Sequence, residues 1–469
     1  MNLKTGILAL LALTANTVFA QTNQQKDTIY EFTAQQCIDF GIKNNYKVKN
    51  AIVDMQIQEQ TNRQYTALAY PQINGSLGTN YYPNVAVQSF PNFIAAGTYG
   101  VLEKEGVKDG NGNAIKSPTD FGFINAAFGT KWNGNAGVTL SQILFDGQVF
   151  VGLQARETAL SFSQKNIELT EEAIKANIYK VYYQLVVSKT QIDQLDANIE
   201  RTQKLLHDAG ELYKNGFAEK IDVDRASVQL ANLQTEKLRV ENTITNGYLG
   251  LKLLIGMPIN DSLVLTEKIT EDQIKKDLLS QQDYQIQDRK DYQYLQLGKK
   301  LNEYNVRRYK LSALPSAALN AGYSKIANRD QFNLFQKGDW FTSSYVGLRI
   351  NVPIFLGMSN DANIKKAQLT LKQTENEIDN LKIAIDNEIA VAKNNFNNAI
   401  TTLDFQKKNM QLAEQVYNQA KKKYEIGTGS NTDITNAQTD LRVAQSNYIT
   451  ALYNAIIAKV DYVKAIGKL

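Results

Sequence analysis

Tyr213-Lys-Asn-Gly-Phe-Ala-Glu-Lys-Ile-Asp222 returns 211 residues later as Tyr424-Glu-Ile-Gly-Thr-Gly-Ser-Asn-Thr-Asp433. Each copy keeps a tyrosine, a glycine three residues on and an aspartate six beyond that. Both lie between long stretches of helical periodicity, so each reads as a helix ended by glycine, a tight turn, and a second helix with an acid in its first turn. The offset of 211 also joins Ala226 to Ala437, Leu230 to Leu441 and Gly256 to Gly467. Upstream, Phe145 and Gly147 align with Phe355 and Gly357 at an offset of 210, and Pro71 and Gly78 with Pro315 and Gly322 at 244. The second half thus repeats the first, and the first carries about 34 extra residues between Tyr81 and Lys131. That insertion is rich in Gly, Asn and Pro and reads as a long surface loop, about 82–130.

Proline placement permits long helices on either side of the turns. The seven prolines fall at 71, 83, 91, 118, 258, 315 and 353, leaving 119–257 and 354–469 free of them. Since proline costs ~3 kcal/mol inside a helix, such gaps matter. Ile192, Leu195, Ile199, Thr202, Leu206, Ala209 and Tyr213 step by three and four, and Val223, Ala226, Leu230 and Leu233 resume the pattern, as in a coiled-coil seam. A helix over 147–214 would be on the order of 100 Å long at ~1.5 Å per residue, more than a globular domain spans.

Four segments switch to period two. Ile73, Leu77 and Tyr81 alternate with Gln72, Asn74, Ser76 and Asn80, while Trp132, Ala136, Val138 and Leu140 alternate with Asn133, Asn135, Thr139 and Ser141. Ala317, Leu319, Ala321 and Tyr323 repeat the pattern, as do Val346, Leu348, Ile350 and Val352 against Arg349 and Asn351. About ten residues of this kind suit a tilted membrane strand with an apolar outside and a polar lumen, although a soluble hairpin with one wet face alternates too. Three features favour the membrane barrel: export of the chain, helices that offer the strands no rival core, and Tyr81, Trp132, Tyr323 and Trp340 near strand ends. Four strands cannot close a barrel, because ~8 are needed merely to fill an interior with side chains. Three copies would supply 12.

Composition fits but does not decide. Of 469 residues, 43% are hydrophobic and 21% charged, with 51 Lys and Arg against 47 Asp and Glu. Mean hydropathy is −0.35. These values exclude disorder and a bundle of membrane helices, and a net +4 is too small and dispersed for a nucleic-acid surface. Lys4, the apolar run Gly6–Leu13, and Val18 and Ala20 make residues 1–20 a secretory signal peptide cleaved after Ala20; the run is too short for a membrane anchor. The mature chain divides into a first repeat, 21–256, with strands about 71–82 and 131–145 and helices about 147–214 and 218–256. An equatorial connector follows at 257–288. A second repeat, 289–469, has strands about 315–325 and 340–354 and helices about 358–425 and 430–467.

The ordered set resembles the TolC-like outer membrane efflux proteins from Phe32 to Gly467. Phe32-Thr-Ala-Gln-Gln-Cys-Ile-Asp-Phe-Gly-Ile-Lys-Asn-Asn45 is similar to that family's opening helix, Leu68-Ala-Tyr-Pro71 and Leu314-Pro315 to its helix-to-strand breaks, and the two Tyr-x-x-Gly segments to its paired helix turns. The resemblance implies a mainly α fold with a β-barrel part: a coiled-coil helical barrel in the periplasm and a 12-stranded barrel in outer-membrane lipid, completed by a homotrimer. It also implies a periplasmic adaptor (membrane fusion protein) and an inner-membrane efflux pump as partners, with no cofactor. In that family the turns at Gly216, Gly427 and Gly429 would form the adaptor-docking tip. Asp433 matches a pore-constricting aspartate, and Asn436 stands where a second can occur, so three carboxylates replace six and cation binding is weaker. Asp222 and Tyr424 match a gate pair of the closed state, but Gly429 replaces the arginine gate partner, so one latch is missing.

Plainer roles compete for the same residues. Asp222 and Asp433 would be favoured by the helix dipole by ~0.3 to 1 kcal/mol with no pore at all. Gly216 and Gly427 would end helices in any fold. Gly427-Thr-Gly429 lacks the Lys-Ser/Thr of a phosphate loop, and Lys421 to Lys423 reads as a solvated helix face. One Cys and one His offer neither a zinc set nor a paired nucleophile and base, so a non-enzyme is expected. Cys37 reads as a small buried hydrophobe and His207 as a residue flanking a seam. Three functions remain: an export duct, a secreted coiled-coil adhesin or spacer that would have no use for repeated porin-like strands, and a passive porin that would have no use for some 250 residues of helix. The exported substrate and the pump class are not encoded in any of these residues.

Overall fold

The computed structural model describes residues 29–267, 274, 284–334, 336 and 338–469; the expected signal peptide at 1–20 and much of the expected connector at 257–288 lie outside the described residues. Contacts divide the chain into two units. One comprises the N-terminal stretch to Gln56 with Ser161–Leu297 and Glu375–Leu469, the other Ile57–Leu160 with Gly298–Thr374.

In the second of these units each proline break turns a helix into a strand. Helix α2 (Tyr46–Ala67) and helix α6 (Lys290–Leu311) each have 22 residues and lie 244 apart. Pro71 and Pro315 follow them, and because the residue before a proline is pushed out of helical conformation, the chain leaves extended. Strand β2 (Gln72–Tyr81) starts directly after the first proline and strand β7 (Ser316–Arg329) directly after the second. With β5 (Trp132–Phe145) and β8 (Phe341–Asn351) they form an antiparallel sheet ordered β2-β5-β7-β8.

The register gathers the alternating residues onto two faces. Ile73, Leu77 and Tyr81 pair with Leu140, Ala136 and Trp132. Leu140 and Val138 pair in turn with Ala321 and Tyr323, while Leu319 and Ala321 pair with Leu348 and Val346. All therefore share one face, and Asn74, Asn80, Asn133, Asn135 and Asn320 share the other. Both edge strands, β2 and β8, are exposed along their whole length. No helix among the described residues is long and apolar enough to cross a membrane.

The stretch expected as a long loop has structure of its own. It holds β3 (Val87–Pro91), α3 (Phe93–Lys104) and β4 (Phe123–Ala127), with β3 and β4 paired antiparallel. Asn92 caps α3 by accepting from the Ala95 amide at 3.0 Å, and Phe90 meets Phe128 edge-on at 5.2 Å. Its Gly and Asn content hid this hairpin because the strands are short and carry little alternation.

The helical unit is built on four long helices: α4 (Gly147–Lys214, which begins in the strand-bearing unit), α5 (Lys220–Ile255), α7 (Ser359–Glu425) and α8 (Asn431–Ala465). Its densest core lies where α1 (Ala34–Asn44) buries Cys37 and Ile38 against Ile178, Tyr182, Leu251 and Ile255. Burial pushes the Cys37 thiol up to about 12. Strand β1 (Ile29–Phe32) runs parallel to β6 (Ser262–Leu265) beside it. At the far end of α8, the buried Arg289 donates to the Ala465 carbonyl at 2.7 Å while pairing with Asp291 at 2.7 Å and Glu388 at 2.9 Å. It thereby satisfies both an orphan helix-terminal carbonyl and its own charge.

The seam expected along α4 is split in two. Ile192, Leu195 and Ile199 pack with Leu233 and Val240 of α5, whereas Leu205 packs with Ile434, Ala437 and Leu441 of α8. A helix with two neighbours uses both flanks of its stripe, so Thr202 and Ala209 are buried, Leu206 is half-buried and Tyr213 is exposed.

Candidate functional site

The two repeated turns lie together at one end of the helical unit. Gly216 has φ +77° and Gly427 φ +76°, a left-handed conformation that costs an L side chain ~1–2 kcal/mol. In the first turn Phe217 N–H donates to the Leu212 carbonyl at 2.8 Å and Gly216 N–H to that of Tyr213 at 3.1 Å; in the second Thr428 donates to Lys423 at 2.9 Å and Gly427 to Tyr424 at 3.1 Å. Each is a Schellman closure. Arg225 reaches from one turn to the other, its Nη1 donating to Thr432 Oγ1 at 3.4 Å, and Lys204 lies 4.0 Å from Glu425.

After the glycine the turns diverge. Helix α8 begins with a capping box: Ser430 Oγ accepts from the Asp433 amide at 3.1 Å, and Asp433 Oδ2 accepts from the Ser430 amide at 3.2 Å. The Ser430 side chain and amide hold the Asp433 carboxyl below its ordinary value. Helix α5 begins at Glu219, whose side chain makes no capping bond. Asp433 and Asn436 are exposed one turn apart on α8, opposite the buried Ile434, Ala437, Gln438 and Leu441. Gly429 sits in a tight place, since a Cβ there would come within 3.0 Å of both Lys423 Cβ and the Tyr424 amide nitrogen. Lys421 and Glu425 are 3.9 Å apart on the adjoining face.

Tyr424 is half-buried beside the Leu205, Tyr417 and Ile434 cluster. Its phenol is raised first by burial and then by the Asp208 and Asp222 carboxylates. Asp222 thus faces Tyr424 through charge, and no hydrogen bond joins the two among the described residues. An open groove of about 480 Å³ runs between α5 and α8 above the turns, lined by Ile221, Arg225, Val228, Asn232, Glu236 and Arg442, with Arg442 bonded to Glu236 at 3.2 Å.

Sequence reasoning missed a buried polar layer just above this tip. Asn198 donates to Gln445 Oε1 at 2.9 Å, and Gln438 donates to Thr202 Oγ1 at 2.5 Å. Thr202 lies on the seam, while Asn198 and Gln438 stand one position off it beside Ile199 and Ala437; all three are buried, and a buried polar residue fixes register at a cost in stability. Thr202 was already in the stripe read from the sequence; only a stripe widened to its flanking positions would have taken in Asn198 and Gln438. Ser430 was also overlooked, although Ser-x-x-Asp ahead of an apolar helix is a capping-box signature.

Residues 286–468 match the outer membrane efflux protein family. The outer membrane protein TolC of Vibrio cholerae is 20% identical over 340 residues, covering 71% of this chain and 77% of TolC. The chain is similar to the TolC-like outer membrane efflux proteins. Two solved structures share the fold of this chain. The outer membrane protein VceC of Vibrio cholerae has a TM-score of 0.70 at 15% identity, covering 92% of this chain and 96% of VceC. The CmeC outer membrane channel of Campylobacter jejuni has a TM-score of 0.72 at 17% identity, covering 93% of this chain and 85% of CmeC. The chain is accordingly an outer membrane efflux or secretion channel with its helical part in the periplasm. Pro71 and Pro315 mark where its helices give way to strands.

Proposed function

We propose that three copies of this chain form the exit duct of a tripartite export system, joined by a periplasmic adaptor to an inner-membrane pump that supplies cargo and energy. The open sheet carries the reading. Strands β2 and β8 each present an unpaired backbone edge, and in hydrocarbon every unsatisfied group costs several kcal/mol. The two edges run antiparallel, so β8 of one copy can pair with β2 of the next until 12 strands close. The helical unit supports the same assembly: α5 exposes Ile221, Val228, Leu238, Leu249 and Leu253, and α7 exposes Ile383, Val391, Phe405, Leu412 and Val416. Two such stripes on different helices suit each other across a subunit boundary.

At the tip, three Asp433 carboxylates would ring the mouth with Asn436 above them, and Asp222 with Tyr424 would hold the resting state. The turns at Gly216, Gly427 and Gly429 would receive the adaptor. Gly429 leaves no room for the arginine latch of the family without movement of Lys423. The capping box gives Asp433 a structural role as well, and the two roles are separable by experiment. The detergent-solubilised protein is expected as a trimer that conducts ions in a planar bilayer, with divalent and trivalent cations blocking the wild type more strongly than Asp433→Ala. An unchanged block would leave Asp433 as a cap only, and a stable water-soluble monomer would overturn the duct.

A further inference from the structure

The register of the sheet isolates one charge. On the polar face of the four strands, asparagine, serine, threonine and glutamine dominate, and Arg349 is the single charged side chain. It lies two residues before the end of β8, opposite Ala318, which is itself opposite Ile143. Neither neighbour can bond a guanidinium. Arg349 is exposed and makes no ion pair or hydrogen bond among the described residues, in contrast to Arg329, which donates to the Asp339 carbonyl at 2.8 Å. An unpartnered arginine beside alanine and isoleucine has no structural task in the sheet.

We propose that Arg349 is a charge-selecting residue of the channel, three copies forming a cationic ring at the helix-proximal end of the barrel lumen. This rests on the trimeric duct reading, which sets the apolar face toward lipid and Arg349 inward. Twelve strands ~4.8 Å apart and tilted by ~40° close at a backbone radius of about 12 Å. An extended arginine reaches about 6 Å inward, so each guanidinium stands within one Debye length of the axis, about 10 Å at 0.1 M salt. A solute on the axis therefore feels all three charges at once, in a wall whose other side chains are uncharged. Anionic solutes, above all those with several phosphates or carboxylates, are held there; cations are held at the acidic tip. The two rings select opposite charges.

Inositol hexakisphosphate added to the barrel side of a planar bilayer reads the ring, and addition to the tip side serves as control. Barrel-side block of the wild-type trimer is expected, with the half-blocking concentration raised about five- to tenfold in Arg349→Gln and restored in Arg349→Lys. Because Cys37 is fully buried, thiol reagents address only the new residue in Arg349→Cys. A cationic methanethiosulfonate should return the block within the same trimers, and a neutral one should not. Normal conductance with unchanged block in Arg349→Gln, or no difference between the two reagents, overturns the ring while leaving the duct intact. A wild type that forms no conducting trimer overturns both.

Discussion

Helices α5 and α8 begin from the same repeated motif, yet they have different fates. Helix α8 buries Ile434, Ala437, Gln438, Leu441 and seven further apolar residues among its 35, together with Ala444, while α5 buries Ala226, Leu233, Val240, Leu251 and Ile255 among 36. The second turn is fixed by a capping box and a crowded Gly429; the first has Ala218 and an uncapped Glu219 in their places. Duplication gave both helices the same pattern, and burial then distinguished them: α8 packs between α4 and α7, whereas α5 packs on α4 and, near its C-terminal end, on α1, and keeps an apolar stripe exposed. A duplicated motif becomes a rigid strut when its own chain covers it, and keeps an exposed apolar face when its own chain does not.

Three experiments would break or sharpen this contrast. Leu441 is fully buried and Leu230, its repeat partner, only half-buried. Leu441→Ala should therefore cost about 3 kcal/mol and Leu230→Ala about half that or less, read from thermal unfolding in detergent. Equal losses would mean that α5 is as enclosed as α8. Next in size, Ser430→Ala should lower stability by about 1 kcal/mol, whereas Glu219→Ser, which places a capping serine three residues before Asp222, should raise it by up to a similar amount. Local hydrogen exchange at the two turns would locate each effect, and a gain from both substitutions would remove the capping box from the comparison.

The smallest effect is one of pH. Because its hydrogen bonds to Ser430 hold the Asp433 carboxyl below the ordinary 3.8, the cap's contribution is complete above that value and is lost as pH falls through the lowered one. Exchange protection at the second turn should thus persist to about pH 4 and fade below it, and Ser430→Ala should abolish that dependence. Protection lost already near pH 5 would show that Asp433 is not held by the cap.

Much of the fold was legible because its signals are local. A proline sets the conformation before it, a glycine alone tolerates the left-handed turn at residues 216 and 427, and alternation marks Ile73 to Tyr81 or Val346 to Ile350 as two-faced whatever surrounds them. The family match rests on the order of those signals. The parts that were not legible depend on which segments meet. Nothing near Asn198 in sequence announces Gln445, and the single seam drawn along α4 could not divide until α5 and α8 took separate flanks. Strands β3 and β4 needed each other across more than thirty residues.

The sequence by itself determined the two-fold repeat, where helices stop, and which face of each strand is apolar, since backbone sterics and side-chain periodicity act over a few residues. Tertiary structure alone decided that Asn198, Thr202 and Gln438 form one buried layer, and that Arg349 stands alone beside Ala318. Those depend on register and on distances between segments far apart in the chain, which no local pattern encodes.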